Sequence, residues 1–93
     1  MPSKSMKAKI IRVKIEEGRT GLFFATSPDM KGLLVAEKTL EKMETAVPEA
    51  IRDLYAACDM EVVVSRLENG GDAFEPWVAF PASIARMALE STN

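Results

Sequence analysis

The apolar residues of this 93-residue chain change their period twice, and that change limits what it can fold into. Ile11, Val13 and Ile15 alternate with Arg12, Lys14 and Glu16, the period-two pattern of a strand with one buried face. From Thr39 onward, Leu40, Met43, Val47, Ile51, Leu54 and Cys58 stand three or four residues apart, one stripe along an amphipathic helix. At Met60-Glu61-Val62-Val63-Val64 the sequence returns to β-branched residues, which favour a strand. Strands, one helix and strands again require a sheet packed against a single helix.

The connections fit that plan. Glu17-Gly18-Arg19-Thr20-Gly21 is turn chemistry, and Leu22 to Thr26 reads as the returning strand. Ser27-Pro28-Asp29 marks the next turn, and Gly32 opens a third run, Leu33 to Ala36, which completes an antiparallel meander. Thr39 is placed to cap the helix, with Glu41 and Glu44 in the first turns, where the dipole favours anions. Pro48 interrupts no part of the stripe, so a kink is expected there and not a break. Asn69-Gly70-Gly71-Asp72 is hairpin chemistry, and Phe74 to Phe80 reads as a returning fifth strand, in which Pro76 requires either an edge position or a place among the first residues of the strand. Residues 82–90 read as a short terminal helix with Ile84, Met87 and Ala88 on one side. The expected fold is α+β, an antiparallel β-meander covered by one amphipathic helix (β-β-β-α-β), with a C-terminal strand and short helix. Residues 1–7 form a basic arm and 8–93 a single domain, with its core in 8–67 and a C-terminal extension in 74–93.

An apolar fraction of 47% against 28% charged belongs to one globular domain. Cys58 is the only cysteine, which excludes an intrachain disulfide and, in so small a domain, points to the reducing cytoplasm. No apolar run approaches the roughly 20 residues that cross a bilayer, so no membrane role is expected. The net charge of −2 conceals a polarity: residues 1–19 carry net +4 and the remainder net −6. An acidic body suits a basic protein partner better than it suits DNA.

Catalysis is not expected. The chain has no histidine, which removes the commonest general base, metal ligand and partner of a Ser or Cys nucleophile. Cys58 falls on the apolar helix stripe, where a thiol is usually an inert small hydrophobe. No phosphate-cradling glycine loop is present, and Glu41, Glu44, Glu49 and Asp53 are spaced as helix-surface charges and not as metal ligands. Neither a cofactor nor a metal is expected.

The strand Ile11-Arg12-Val13-Lys14-Ile15, the segment from Phe24 through Ser27-Pro28-Asp29-Met30-Lys31-Gly32-Leu33, the stretch Ala36 to Glu41, and Glu49-Ala50-Ile51 resemble the N-terminal domain of HicB-type antitoxins. The resemblance covers roughly residues 8–66 and is closest to a branch of small HicB-like proteins. It implies a partial RNase H-like sheet with one covering helix, self-association, and binding to a small basic HicA-like toxin that cleaves RNA. Relatives that bind operators carry a second domain. Trp77 to Pro81 and the short helix after them resemble only the start of a ribbon-helix-helix, so DNA binding is not carried over.

The expected function is that of a non-catalytic antitoxin-like binding module in a toxin–antitoxin system. The alternative is a stand-alone homo-oligomeric regulatory or sensing domain. The expected partner surface joins the loop Ser27, Pro28, Asp29 and Met30 to Glu41 and Glu44 on the polar helix face. The expected contacts in a dimer or larger assembly are Trp77, Phe80, Ile84 and Met87, since Trp77 and Phe80 lie in a segment that the meander-plus-helix core does not need.

Overall fold

The computed structural model describes residues 7–67 and 74–83. Five strands, β1 (Lys9–Glu17), β2 (Phe23–Thr26), β3 (Leu34–Glu37), β4 (Val62–Arg66) and β5 (Phe74–Pro81), form one sheet among the described residues, and the helix α1 (Leu40–Ala56) lies between β3 and β4. The sheet order is β3-β2-β1-β5-β4 with every neighbour antiparallel. It curls into a half-barrel, and α1 covers one of its faces.

The period-two alternation of β1 sets the layers. Ile11 and Val13 are fully buried toward the helix, and register carries that face to Ala25 on β2, Val35 on β3, Trp77 and Ala79 on β5, and Val62 on β4. Met43, Val47 and Ile51 complete the core from the helix, each fully buried and each contributing about 1.5–3 kcal/mol by leaving water. The stripe is narrower than its sequence spacing implies. Leu40 is exposed at the first residue of the helix, and Cys58 is exposed in the turn that follows the last. Cys58 is therefore not a core residue.

Thr39 caps α1 as expected, its backbone extended and its Oγ1 accepting from the Lys42 N–H at 3.0 Å. The helix runs uninterrupted through Pro48. It closes where the N–H of Met60 reaches the carbonyl of Tyr55 and that of Asp59 reaches the carbonyl of Ala56, with Asp59 in the left-handed region at φ 62°. At Gly32 the need for glycine is conformational: its φ is +91°, whereas an added Cβ would meet only Leu54 at an ordinary 3.7 Å.

Of the two placements that Pro76 left open, the fifth strand takes the second: it is not at an edge but lies between β1 and β4, with Pro76 as its third residue. Pro76 is tolerated there because of where its missing N–H falls. Its carbonyl faces β4 and accepts from the Leu67 N–H at 2.9 Å, one residue past the end of that strand. The absent reciprocal bond is thus the last rung of the ladder. On its other side, Pro76 faces Arg12 across a pair that exchanges no backbone bonds. The expected hairpin residues Asn69 to Asp72 lie outside the described residues, as does most of the expected terminal helix, including Ile84 and Met87.

Candidate partner-binding surfaces

β1 is shared unequally by its neighbours. Residues 14–17 pair with β2, and residues 9–14 pair with β5. Below Lys14, the β2-side edge of β1 has no strand beside it, and the loop after β2 takes over. There the Asp29 carboxylate accepts three hydrogen bonds from Arg12: backbone N–H to Oδ2 at 2.9 Å, Nε to Oδ2 at 2.9 Å, and Nη2 to Oδ1 at 2.8 Å. A side chain thus stands in for the ladder acceptor that β2 no longer supplies, and it clamps the guanidinium in a fork. Ser27 Oγ accepts from the Asp29 N–H at 3.0 Å and fixes the loop, while the Arg12 guanidinium lies 5.5 Å from the centre of the Phe74 ring.

These hydrogen bonds hold the Asp29 carboxyl well below the usual aspartate range. Because the folded value is depressed, the stabilisation is fully present above the ordinary value near 3.8 and is lost as pH falls through that range toward the folded value. Arg12 is half exposed, so solvent screens part of the effect. The Asp29→Asn variant should therefore be less stable than the parent at neutral pH, and the gap should close in acid. Urea midpoints measured from neutral pH to below the aspartate range check this. A gap that persists unchanged in acid would show that the carboxylate charge contributes nothing.

The expected partner surface is not brought together. The loop 27–32 lies at the end of the sheet that faces the C-terminal half of α1, where Gly32 approaches Leu54. Glu41 and Glu44 lie at the opposite end of the helix, about 20 Å away at ~1.5 Å per residue. Asp29 is occupied by Arg12, and Met30 packs against the chain's own core, which leaves exposed Pro28 and half-buried Ser27. Glu41 and Glu44 also part company. Glu44 faces β4 and pairs with Arg66 at 3.1 Å, an exposed ion pair worth little.

Glu41 instead lines a shallow depression of about 380 Å³ between β3 and the outer flank of α1, together with Glu37, Lys42, Thr45, Ala46 and Glu49. Three carboxylates face one lysine there. Glu49 is visible in the sequence as a helix-surface charge. Glu37 is not, because its place beside the helix depends on its pairing with Phe23. A second depression of about 420 Å³, lined by Arg52, Asp53, Asp59, Glu61 and neighbouring residues, follows the C-terminal end of the helix. Residues 37–61 carry seven carboxylates and three cations, so the helix layer is acidic along its length.

The expected assembly residues separate as well. Trp77 is 4% exposed and sits in the core beneath the helix, so its ring does not stand free of the chain's own interior. Its Nε1 is buried without a hydrogen-bond partner among the described residues. Phe80, three residues on, points to the opposite face of the sheet and is half buried. Among the described residues, no group of three or more Cys, Asp or Glu is arranged to hold a metal ion, and no helix is long and apolar enough to cross a membrane.

The chain matches no family model, no curated protein and no solved structure.

Proposed function

We propose that this chain is a non-catalytic binding module of the HicB antitoxin type, which neutralises or regulates a small basic RNA-cleaving protein by binding it directly. The observation that carries the reading is the depression between β3 and α1, whose lining holds three carboxylates, Glu37, Glu41 and Glu49, and one cation, Lys42. A protein that cleaves RNA must present cations to phosphates, and a concave cluster of carboxylates competes for those cations. The acidic excess over residues 37–61 extends the same potential along the helix and would speed the encounter. The order of three antiparallel strands, a Thr-capped helix and a further strand also supports the resemblance on which the reading rests.

The site moves relative to the sequence expectation. Glu41 stays in it, Glu37 and Glu49 join it, and Asp29 and Glu44 leave it because each already has a cationic partner within the chain. The experiment is capture from the native host with the parent chain and with a Glu37→Gln, Glu41→Gln, Glu49→Gln variant. The parent should retain a small basic protein at low salt and release it as salt rises, and the variant should retain much less. Equal recovery of the same protein by both would remove the depression from the site.

A further inference from the structure

β3 is an outer strand of the sheet, and its free edge is unguarded. The ladder determines which of its backbone groups point outward. The Arg12 N–H faces the β2 side of β1, so Lys14 and Glu16 exchange backbone bonds with Thr26 and Phe24. Alternation then turns Phe23 and Ala25 toward Glu37 and Val35, and leaves the N–H and C=O of Leu34 and Ala36 facing out. No hydrogen bond among the described residues reaches those outward groups. Proteins blunt such edges with lysine or proline, and Leu34-Val35-Ala36 carries neither. Leu34 is 69% exposed and Ala36 is exposed beside it, so solvent reaches the edge.

The depression beside this edge selects the occupant. Its lining comes from β3 and α1 with no residue of β2, so it lies beyond the edge of the sheet. A strand added to β3 would run ~4.8 Å further out, in the angle between β3 and the flank of α1. Every second side chain of that strand would point to the helix side, as Val35 and Glu37 do. There it would meet Glu37, Glu41 and Glu49, against Lys42 as the cation of the lining. Thr45 and Ala46, between the carboxylates, offer a surface for the aliphatic stems of lysine or arginine. The intervening side chains would point the other way, beside exposed Leu34, where an apolar residue fits.

We infer that an extended segment of a basic protein, with cations at alternate positions, adds to the free edge of β3 as a further strand. Main-chain bonds to Leu34 and Ala36 hold the segment, and the carboxylates of the depression select its side chains. The inference rests on the antitoxin reading for the protein that supplies the segment, and on the β3 edge for how the segment binds.

The probe is a short synthetic peptide of alternating lysine and valine, titrated into the isotope-labelled chain and followed by nuclear magnetic resonance. At saturation, amide exchange at Leu34 and Ala36 should slow by about tenfold or more, while Val64, on the outer edge of β4, should not change. Two further peptides, one N-methylated at its valines and one at its lysines, separate strand pairing from charge. Only alternate amides of an added strand face β3, so one of the two should bind about tenfold more weakly and the other nearly as well as the parent peptide. Ala36→Pro deletes an outward N–H and no bond to β2, and should also weaken the unmodified peptide by about tenfold. If that variant fails to fold, the methylated peptides make the same test with no substitution in the chain. Binding without slowed exchange at Leu34 and Ala36, or equal binding by both methylated peptides, overturns the inference and leaves the depression standing as a partner site. Protection at Val64 in place of Ala36 overturns it as well, and so does an unmodified peptide that does not bind. The antitoxin reading fails separately, on the capture experiment, which does not involve the β3 amides.

Discussion

Trp77→Ala is expected to cost about 3–5 kcal/mol, the range for deleting a large aromatic from a packed core. Trp77 is 4% exposed, pairs with Ile11 across β1 and with Arg66 across β4, and belongs to the core cluster under the helix. A domain of this size holds only ~5–15 kcal/mol in total, so the variant should melt some 15–30 °C lower or fail to fold. Trp77→Phe separates the ring from its polar atom. It keeps most of the buried aromatic surface and deletes an indole N–H that has no acceptor among the described residues, and that deletion offsets part of the lost packing. The phenylalanine variant should therefore keep most of the parent's stability. Denaturant unfolding followed by circular dichroism measures both, since the only tryptophan is lost. An alanine variant within about 1 kcal/mol of the parent would contradict the placement of Trp77 in the core.

Pro48→Ala is expected to act in the other direction, stabilising the domain by about 1–2 kcal/mol. Pro48 is the ninth residue of a helix that continues to Ala56, so it deletes an interior N–H and crowds the carbonyl of Glu44. Proline is ~3 kcal/mol worse than alanine in a helix interior, and its restriction of the unfolded chain returns up to about 1 kcal/mol. Urea unfolding should show a higher midpoint with an unchanged slope. A lower midpoint would mean that the seating of Val47 and Ile51, which flank the proline and are both fully buried, depends on the backbone shape it imposes.

The fold was legible where the pattern is local. Ile11 and Val13 alternate with charged residues, Thr39 precedes an apolar stripe, and Gly32 follows a Pro-Asp turn. Each of these signals acts within a few residues, and each element formed where its signal lay. The fifth strand was legible as a strand, but Pro76 left its place in the sheet open between an edge and an inner strand that carries proline among its first residues. Proline excludes a central strand only when its missing N–H would face a paired carbonyl, and Pro76 places that gap one residue beyond the end of β4. The open placement carried over to Trp77. With β5 at an edge its ring has nothing to pack on, whereas with β5 in the middle the ring lies beneath α1.

The proposed partner surface was less legible because it depends on tertiary neighbours. Asp29 reads as a free loop carboxylate, and only the staggered pairing of β1 brings Arg12, seventeen positions away, against it. Glu41 and Glu44 are three residues apart and only ~60° apart around the helix, yet Glu41 lines the depression beside β3 and Glu44 pairs with Arg66 on β4. Glu37 ends a strand, and no sequence signal marks it as facing the helix.

The most direct test of the account is RNA cleavage by the basic protein captured with this chain, measured alone and with the chain added back. The account predicts that the partner cleaves RNA by itself and that an equimolar amount of the parent chain stops it. The Glu37→Gln, Glu41→Gln, Glu49→Gln variant should need about tenfold more protein for the same protection, because in the proposed mode of binding these carboxylates speed the encounter. Cleavage that continues in excess parent chain, or that the variant blocks equally well, would contradict it.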